Sequence, residues 1–324
     1  YRWLGWLPPG RDLVEQLVQA RALDGRFARQ AETFSDDELR RAVPDWTPDQ
    51  MDCSPAWLRA LQQTPRLWLR ARPGQAVTLA KTLGGPSQTR PGPLADALEY
   101  LGTEDLFRTP QFHTGAMELQ DINSQAVAWM CDPRPGETWW DACAGEGGKT
   151  LHFSDRMQNQ GLIWATDRAA WRLARLKRRA ARARVFNYRA AAWDGAARLP
   201  TKTKFDGVLV DAPCSGLGTW QRNPHARWTT TPEDIQELSR IQLELQVHAA
   251  AAVKPGGKLI YAVCTLTSAE TAAVAAAFQQ RLPDWQPLPL INPFPPPQPP
   301  APQWSFWPQH HGGNGMFVAA WESK

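Results

Sequence analysis

Residues 138–158, TWWDACAGEGGKTLHFSDRMQ, decide how the rest of the chain is read. A short apolar run ends in an acid, Asp141. A glycine-rich turn follows, DACAGEGGKT (141–150), and a helix-forming stretch begins at its last glycines. Glycines let a backbone approach a ligand closely, and the amides opening the next helix favour negative charge. The turn is too short for GxxxxGK[ST] and does not match GxGxxG. It therefore suits a nucleotide-like cofactor held outside those two motifs.

Outward from this turn the same strand–helix alternation repeats. GLIWATD (161–167) reads as a second strand ending in an acid, RVFNYRAAAWD (184–194) as a third and KFDGVLVDAP (204–213) as a fourth. GGKLIYAVC (256–264) is a fifth strand, and MFVAAW (316–321) a late one. Helices are predicted in the basic stretch after Asp167, over 233–253 and over 269–282. MELQDINSQAVAWMC (117–131) reads as a turn leading into a helix. This alternation predicts an α/β fold with a doubly wound, mostly parallel sheet. Upstream, 1–64 reads as a helical lead-in: helix over 11–42 with a start signal at Ser35, and another opened by Ser54 and Pro55. Residues 65–112 read as a small α/β piece, and 113–324 as the catalytic domain. The Pro-rich stretch 283–302 reads as a connector inside that domain.

Composition narrows the class. Hydrophobic residues make up 43% of 324, enough for a globular core, and no apolar run approaches the roughly 18 residues that span a bilayer. The start, YRWLGWLPPGRD, lacks a signal-peptide pattern, and a non-Met first residue leaves room for a native N-terminal extension. The chain stops just after its last strand, so no RNA-binding domain fused behind it is expected. Net charge is +4, but residues 168–184 carry eight Arg and Lys and no acid. Beside nucleic-acid motifs, such a stretch points to phosphate tracking. Five cysteines without a CxxC pair argue against a zinc site or disulfide framework and for a reducing, cytoplasmic setting. The 17 Trp are scattered and read as packing.

In open α/β sheets ligands bind beyond the carboxyl ends of the strands. Asp141, Asp167 and Asp194 end the first three strands. Asp167 is placed to accept ribose hydroxyls and Asp194 to meet an adenine edge, a layout that suits S-adenosylmethionine. Cys214, in DAPC at the end of the fourth strand, and Cys264, at the end of the fifth, are placed to share one crevice. Cys53 and Cys131 read as packing, as does Cys143 inside the turn.

QD (120–121), DACAGEGGKT, DAPCSGLGTWQRNP (211–224), YAVCT (261–265) and GNGMF (313–317) together resemble the Sun/RsmB-type (NOL1/NOP2/Sun) RNA cytosine-5 methyltransferases. The resemblance is strong over about 113–324. It is looser over 65–112, which it implies to be an RNA-contacting domain. It implies a Rossmann-like class I methyltransferase that uses S-adenosylmethionine. It places the nucleophile at Cys264, product release at Cys214, and a carboxylate facing ring nitrogen 3 at Asp211. Cofactor contacts carry over to Cys143, Ala144, Gly145, Glu146, Gly147, Gly148, Lys149, Asp167, Arg172, Asp194 and Asp211. Lys149 is expected to lower a thiol pKa or to steady Asp211. Arg222, Asn223 and Arg227 are candidates for backbone contacts near the target nucleotide. The implied substrate is RNA, ribosomal first and transfer RNA second, with no membrane or metal. The rivals are a DNA cytosine methyltransferase, a non-catalytic RNA-binding assembly factor, and an enzyme in which Cys214 attacks. Departures from the usual pattern are Gly145-Glu146 in the turn, Glu270-Thr271 after the fifth strand and Asn314-Gly315-Met316-Phe317 near the end.

Overall fold

The computed structural model describes residues 1–7 and 12–324, so the helix start expected at Arg11 lies outside the described residues. The N-terminal helices include Leu13–Gln30, Asp36–Arg40 and Pro55–Gln62. Ser35 closes a capping box with Glu38, and Ser54 accepts from Trp57 N with Pro55 behind it, as those residue types predict. Their apolar faces bury Trp3, Phe34, Trp57 and Leu61 against Leu217, Trp220 and Leu266. Those three belong to the loops that follow the fourth and fifth parallel strands, so the helical lead-in props up the site loops.

A small antiparallel sheet comes next: β1 (Leu67–Ala71), β2 (Thr89–Pro91), β3 (Ala97–Tyr100) and β4 (Met117–Leu119), in the order β2-β3-β1-β4. The expected division at residue 112 therefore misses one of its strands. The tripeptide Met117–Leu119 is too short to show a period, and it becomes a strand because β1 offers it a free edge. Asp121 then caps the helix Ile122–Cys131 by accepting from Asn123 N and Ser124 N.

The large sheet holds β5 (Thr138–Asp141), β6 (Leu162–Asp167), β7 (Tyr188–Ala192), β8 (Phe205–Asp211), β9 (Val253–Val263), β10 (Gln286–Pro287), β11 (Gln303–Phe306) and β12 (Met316–Glu322). Its order is β10-β12-β9-β8-β5-β6-β7, with β11 also on β12. Strands β5 to β9 are parallel and β10 to β12 antiparallel. The fold is the expected Rossmann-like, doubly wound α/β sheet. The order reverses between β5 and β8, which opens a crevice at their carboxyl ends. Continuous apolar runs fill both faces: Trp139, Ile163, Leu209 and Ile260 on one, and Trp140, Val208, Val210 and Tyr261 on the other. The Pro-rich connector stays inside this domain, but its flanks pair with β12 and Leu290 bridges Ala301.

Two ion-pair sets hold the small sheet to the large domain. Glu118 of β4, nearly buried, takes Arg179 at 2.8 Å and Arg182 at 2.6 Å from the basic helix Ala170–Arg182. Arg70 of β1 pairs with buried Asp155, which also meets Arg72 at 2.7 Å. Two of the arginines expected to track phosphate thus serve the fold.

Candidate active site

Five parallel strand ends converge on one cavity of about 490 Å³. That falls within the range of about 300–1,000 Å³ usual for small-ligand sites. Asp141, Asp167 and Asp211 are the last residues of β5, β6 and β8. Asp194 follows β7, Cys214 follows β8 and Cys264 directly follows β9. The cavity wall includes Cys143, Ala144, Gly145, Glu146, Gly148 and Lys149 from the turn. Asp167, Arg172, Asp194, Asp211, Cys214 and Cys264 complete the set. Of the expected catalytic and cofactor-contact residues, Gly147 is the one the structure does not bring to the wall. Its φ of +85° needs glycine, and a Cβ there would lie 2.6 Å from the Leu176 side chain, so it serves the turn and helix packing.

The rest of the turn presents bare backbone. Gly145 has φ +55°, and a Cβ on Gly145 or Gly148 would meet no atom within 4 Å. Gly145 N donates to Asp167 Oδ2 at 3.0 Å, and Ala169 N donates to Oδ1 at 2.7 Å, which fixes this carboxylate at the mouth of β6. Arg172, half exposed, stands 3.9 Å from Asp167. Glu146 is paired with Arg175 at 2.6 Å, so its charge is already met before any ligand enters.

Lys149 contacts one of the two partners expected for it. Its Nζ donates to Asp211 Oδ2 at 2.6 Å, on a side chain 8% exposed, so it steadies Asp211. Burial works against the ammonium, but Asp211, then Asp141 and Cys264, outweigh it and raise its pKa. Asp141 is buried beside this pair and accepts from Thr150 Oγ1 at 2.6 Å. Burial, opposed by that hydrogen bond and reinforced by Asp211, pushes its carboxyl up to about 7.

The two thiols meet: Cys214 Sγ and Cys264 Sγ are 3.3 Å apart. The hydrogen bond to Cys264, with burial second, holds the Cys214 thiol well above its ordinary pKa. Either sulfur can donate in this contact. Burial also raises Cys53, Cys131 and Cys143, in line with packing roles.

Glu270 was visible in the sequence only as an acid after β9, and nothing local announces its task. Its fully buried carboxylate takes hydrogen bonds from Ser215 N at 2.8 Å, Gln242 Nε2 at 3.0 Å, Thr267 Oγ1 at 2.8 Å and Thr265 Oγ1 at 3.2 Å, and from the Ser215 hydroxyl. Gln242 also donates to Pro213 O at 2.9 Å, and Tyr261 donates to Gln242 at 2.9 Å. These bonds tie the Cys214 loop to the Cys264 loop.

The expected backbone-contact trio divides. Arg227 is wholly buried, and its guanidinium donates to Trp220 O, Ala42 O and Leu61 O. It is a brace for the N-terminal helices, because three backbone carbonyls supply the acceptors that its burial demands. Arg222 reaches Asp121 at 3.3 Å and Asn314 at 3.1 Å, and so links three of the sequence motifs. Asn223 is exposed and donates to Thr219 at 3.2 Å.

The sequence profile of the family described as 16S rRNA methyltransferase RsmB/F matches residues 128–322, the span that carries the glycine turn, the strand-end acids and both thiols of this cavity. The chain belongs to that family. A Synechocystis protein described as a probable ribosomal RNA small subunit methyltransferase B is 34% identical over 298 residues, covering 86% of this chain and 66% of that protein. This RsmB/F-family chain thus spans just under two thirds of that relative's length. The crystal structure of PH0851 superposes with a TM-score of 0.81 at 26% identity, covering 98% of this chain and 70% of that one. The structure of NSun6 from Pyrococcus horikoshii with SFG gives a TM-score of 0.60 at 26% identity, over 68% of this chain and 56% of that one. Among the described residues, no helix is long and apolar enough to cross a membrane.

Proposed function

We propose that this chain transfers a methyl group from S-adenosylmethionine to carbon 5 of a cytosine in RNA, with small-subunit ribosomal RNA as the substrate. The observation that carries the reading is the pair of thiols at 3.3 Å, delivered by neighbouring strand ends into a cavity that also holds the glycine turn and three strand-end acids. The names of the relatives support ribosomal RNA, and the NSun6 neighbour, with its S-adenosylmethionine analogue, supports the cofactor.

The residues fit that cofactor. Bare backbone at Gly145 and Gly148 leaves room for it against the start of the helix Gly148–Arg156, and Asp167 and Asp194 supply acceptors at the ends of β6 and β7. When bound, it supplies an electrophilic methyl carbon. Carbon 5 of cytosine is a poor nucleophile until a thiolate adds to carbon 6 and makes the ring enamine-like. Cys264, directly after β9, gives up its proton to solvent and forms that sulfur–carbon bond. Asp211, held by Lys149, faces ring nitrogen 3 and stabilises the adduct as a proton gathers there. Cys214, having given its own proton to solvent, then takes the proton from carbon 5 as a thiolate. The carbon 5–carbon 6 double bond reforms, and Cys264 leaves as thiolate.

The contact between the thiols also bears on the order of these events. The hydrogen bond to Cys264 is the first cause of the raised Cys214 pKa, and burial is the second. A Cys264 sulfur bonded to carbon is a weaker partner for that hydrogen bond, which eases ionisation of Cys214 once the adduct exists. The target base is reached unpaired or flipped out.

The test is methyl transfer to small-subunit ribosomal RNA, with the reaction run in parallel on denaturing gels. A covalent RNA band that accumulates in Cys214→Ala and is absent in Cys264→Ala supports the reading. A band that needs Cys214 and survives loss of Cys264 reverses the two roles. RNA binding with no transfer in the wild type sinks the enzyme reading.

A further inference from the structure

Outside the catalytic cavity, the solvent face of the basic helix Ala170–Arg182 carries an ordered pattern. Trp171, Arg175, Arg178 and Arg182 stand at spacings of four, three and four residues, which form one stripe about 16 Å long. Leu173, Leu176 and Ala180 point to the core on the other side. An aromatic ring marks each end. Trp171 is 55% exposed, with the Arg175 guanidinium 5.0 Å from its ring. At the far end Arg182 lies 3.8 Å over Phe112, and Phe107, 57% exposed, meets Phe112 edge-on at 4.9 Å.

Between Phe107 and the stripe lies a cleft of about 440 Å³. Glu146 lines both this cleft and the catalytic cavity, so the two adjoin. Four guanidiniums, Arg175, Arg178, Arg179 and Arg182, are set against two carboxylates, Glu146 and Glu118, and the balance is positive. Arg178 is exposed and has no ion-pair partner among the described residues. A merely solvated basic face would not need exposed rings at both ends. An acidic peptide would use the charges and leave the rings idle. A duplex keeps its base faces stacked inside. A single strand offers both a phosphate and a free ring face at each repeat.

We propose that this stripe and cleft form a track for the single-stranded RNA flanking the target base, with Trp171 and Phe107 stacking on bases and Arg178 meeting a phosphate. The track rests on the RNA reading above but uses a surface apart from the chemistry. Arg179 and Arg182 also bind Glu118, so their removal would disturb the fold, and they are left out of the test.

The experiment is fluorescence anisotropy of a labelled single-stranded 12-nucleotide RNA of mixed sequence with the full chain. The variants are Trp171→Ala, Phe107→Ala, Arg178→Ala, Trp171→Phe and Phe107→Trp, each checked by thermal unfolding. Each aromatic truncation is expected to weaken binding by roughly fivefold or more, and the aromatic replacements to restore it. Arg178→Ala is expected to lower the salt slope by about 0.7, the value for one phosphate on a single strand. Unchanged affinity in all three Ala variants overturns the track. So does equal loss on duplex RNA, or competition by polyglutamate as strong as by RNA. Methyl transfer by the wild type is read alongside. Binding that depends on these residues without any transfer keeps the track and overturns the catalytic reading, and transfer with unchanged variant binding overturns the track alone.

Discussion

Glu270 Oε1 accepts a hydrogen bond of 2.8 Å from the backbone N–H of Ser215, the residue after Cys214. One carboxylate, six residues past Cys264, thereby sets where the other cysteine stands. Removing it strands several buried donors at once, each of which costs about 1–3 kcal/mol when left unpaired.

Glu270→Ala is expected to lower the unfolding temperature and to cut turnover by roughly 100-fold, since a misplacement of about 1 Å has that effect on positioned groups. Glu270→Gln keeps an acceptor and should recover part of both. Steady-state kinetics beside thermal unfolding checks this. Turnover near wild type in Glu270→Ala would show that the thiols hold their spacing without it.

The Lys149–Asp211 pair is expected to act in the chemical step. Lys149→Met should lower kcat by about 10²-fold or more while RNA affinity stays within about twofold, because the ammonium is nearly buried and spends its charge on Asp211. Asp211→Asn should do the same. A change confined to KM for RNA in both variants would assign the pair to binding.

Asp141 gives the fold a pH dependence. Its folded pKa of about 7 lies above the ordinary value of 3.8, so the native state keeps a proton that the unfolded chain has released between those limits. The stabilisation is complete below about pH 4 and is lost as pH rises through about 7. Asp141→Asn keeps the acceptor for Thr150 and removes the titration. Its unfolding temperature should gain on the wild type as pH is raised across this window, by several degrees at the upper end. Parallel curves for the two proteins would assign the proton elsewhere.

Arg227→Met is expected to destabilise the protein by roughly 3 kcal/mol or more, because the carbonyls of Trp220 and Leu61 lose a buried donor. RNA affinity of the folded fraction should not change. Denaturant unfolding and RNA titration separate the two effects. Stability equal to the wild type with weakened RNA binding would return Arg227 to the substrate surface.

Local chemistry made much of this molecule readable. The parallel strands announce themselves as apolar runs, and Asp141, Asp167, Asp211 and Cys264 sit at or just past the ends of four of them. The caps at Ser35 and Ser54 are equally local. Strand ends of a doubly wound sheet share one edge, so the order of the motifs was enough to gather the thiols, the turn and the acids.

What the sequence could not determine depends on pairs far apart in the chain. β4 is a strand only because β1 is beside it. Arg227 reads as an exposed cation until Ala42 and Leu61 close over it, and Glu270 reads as a helix-start acid until Ser215 arrives from 55 residues away. The basic helix reads as uniformly free until Glu118 claims Arg179 and Arg182 and leaves Arg178 outside. A residue's type fixes which bonds it can make, and turns, caps and strand ends use partners within a few positions. Which buried donor meets which acceptor is settled only when desolvation forces distant segments to satisfy one another.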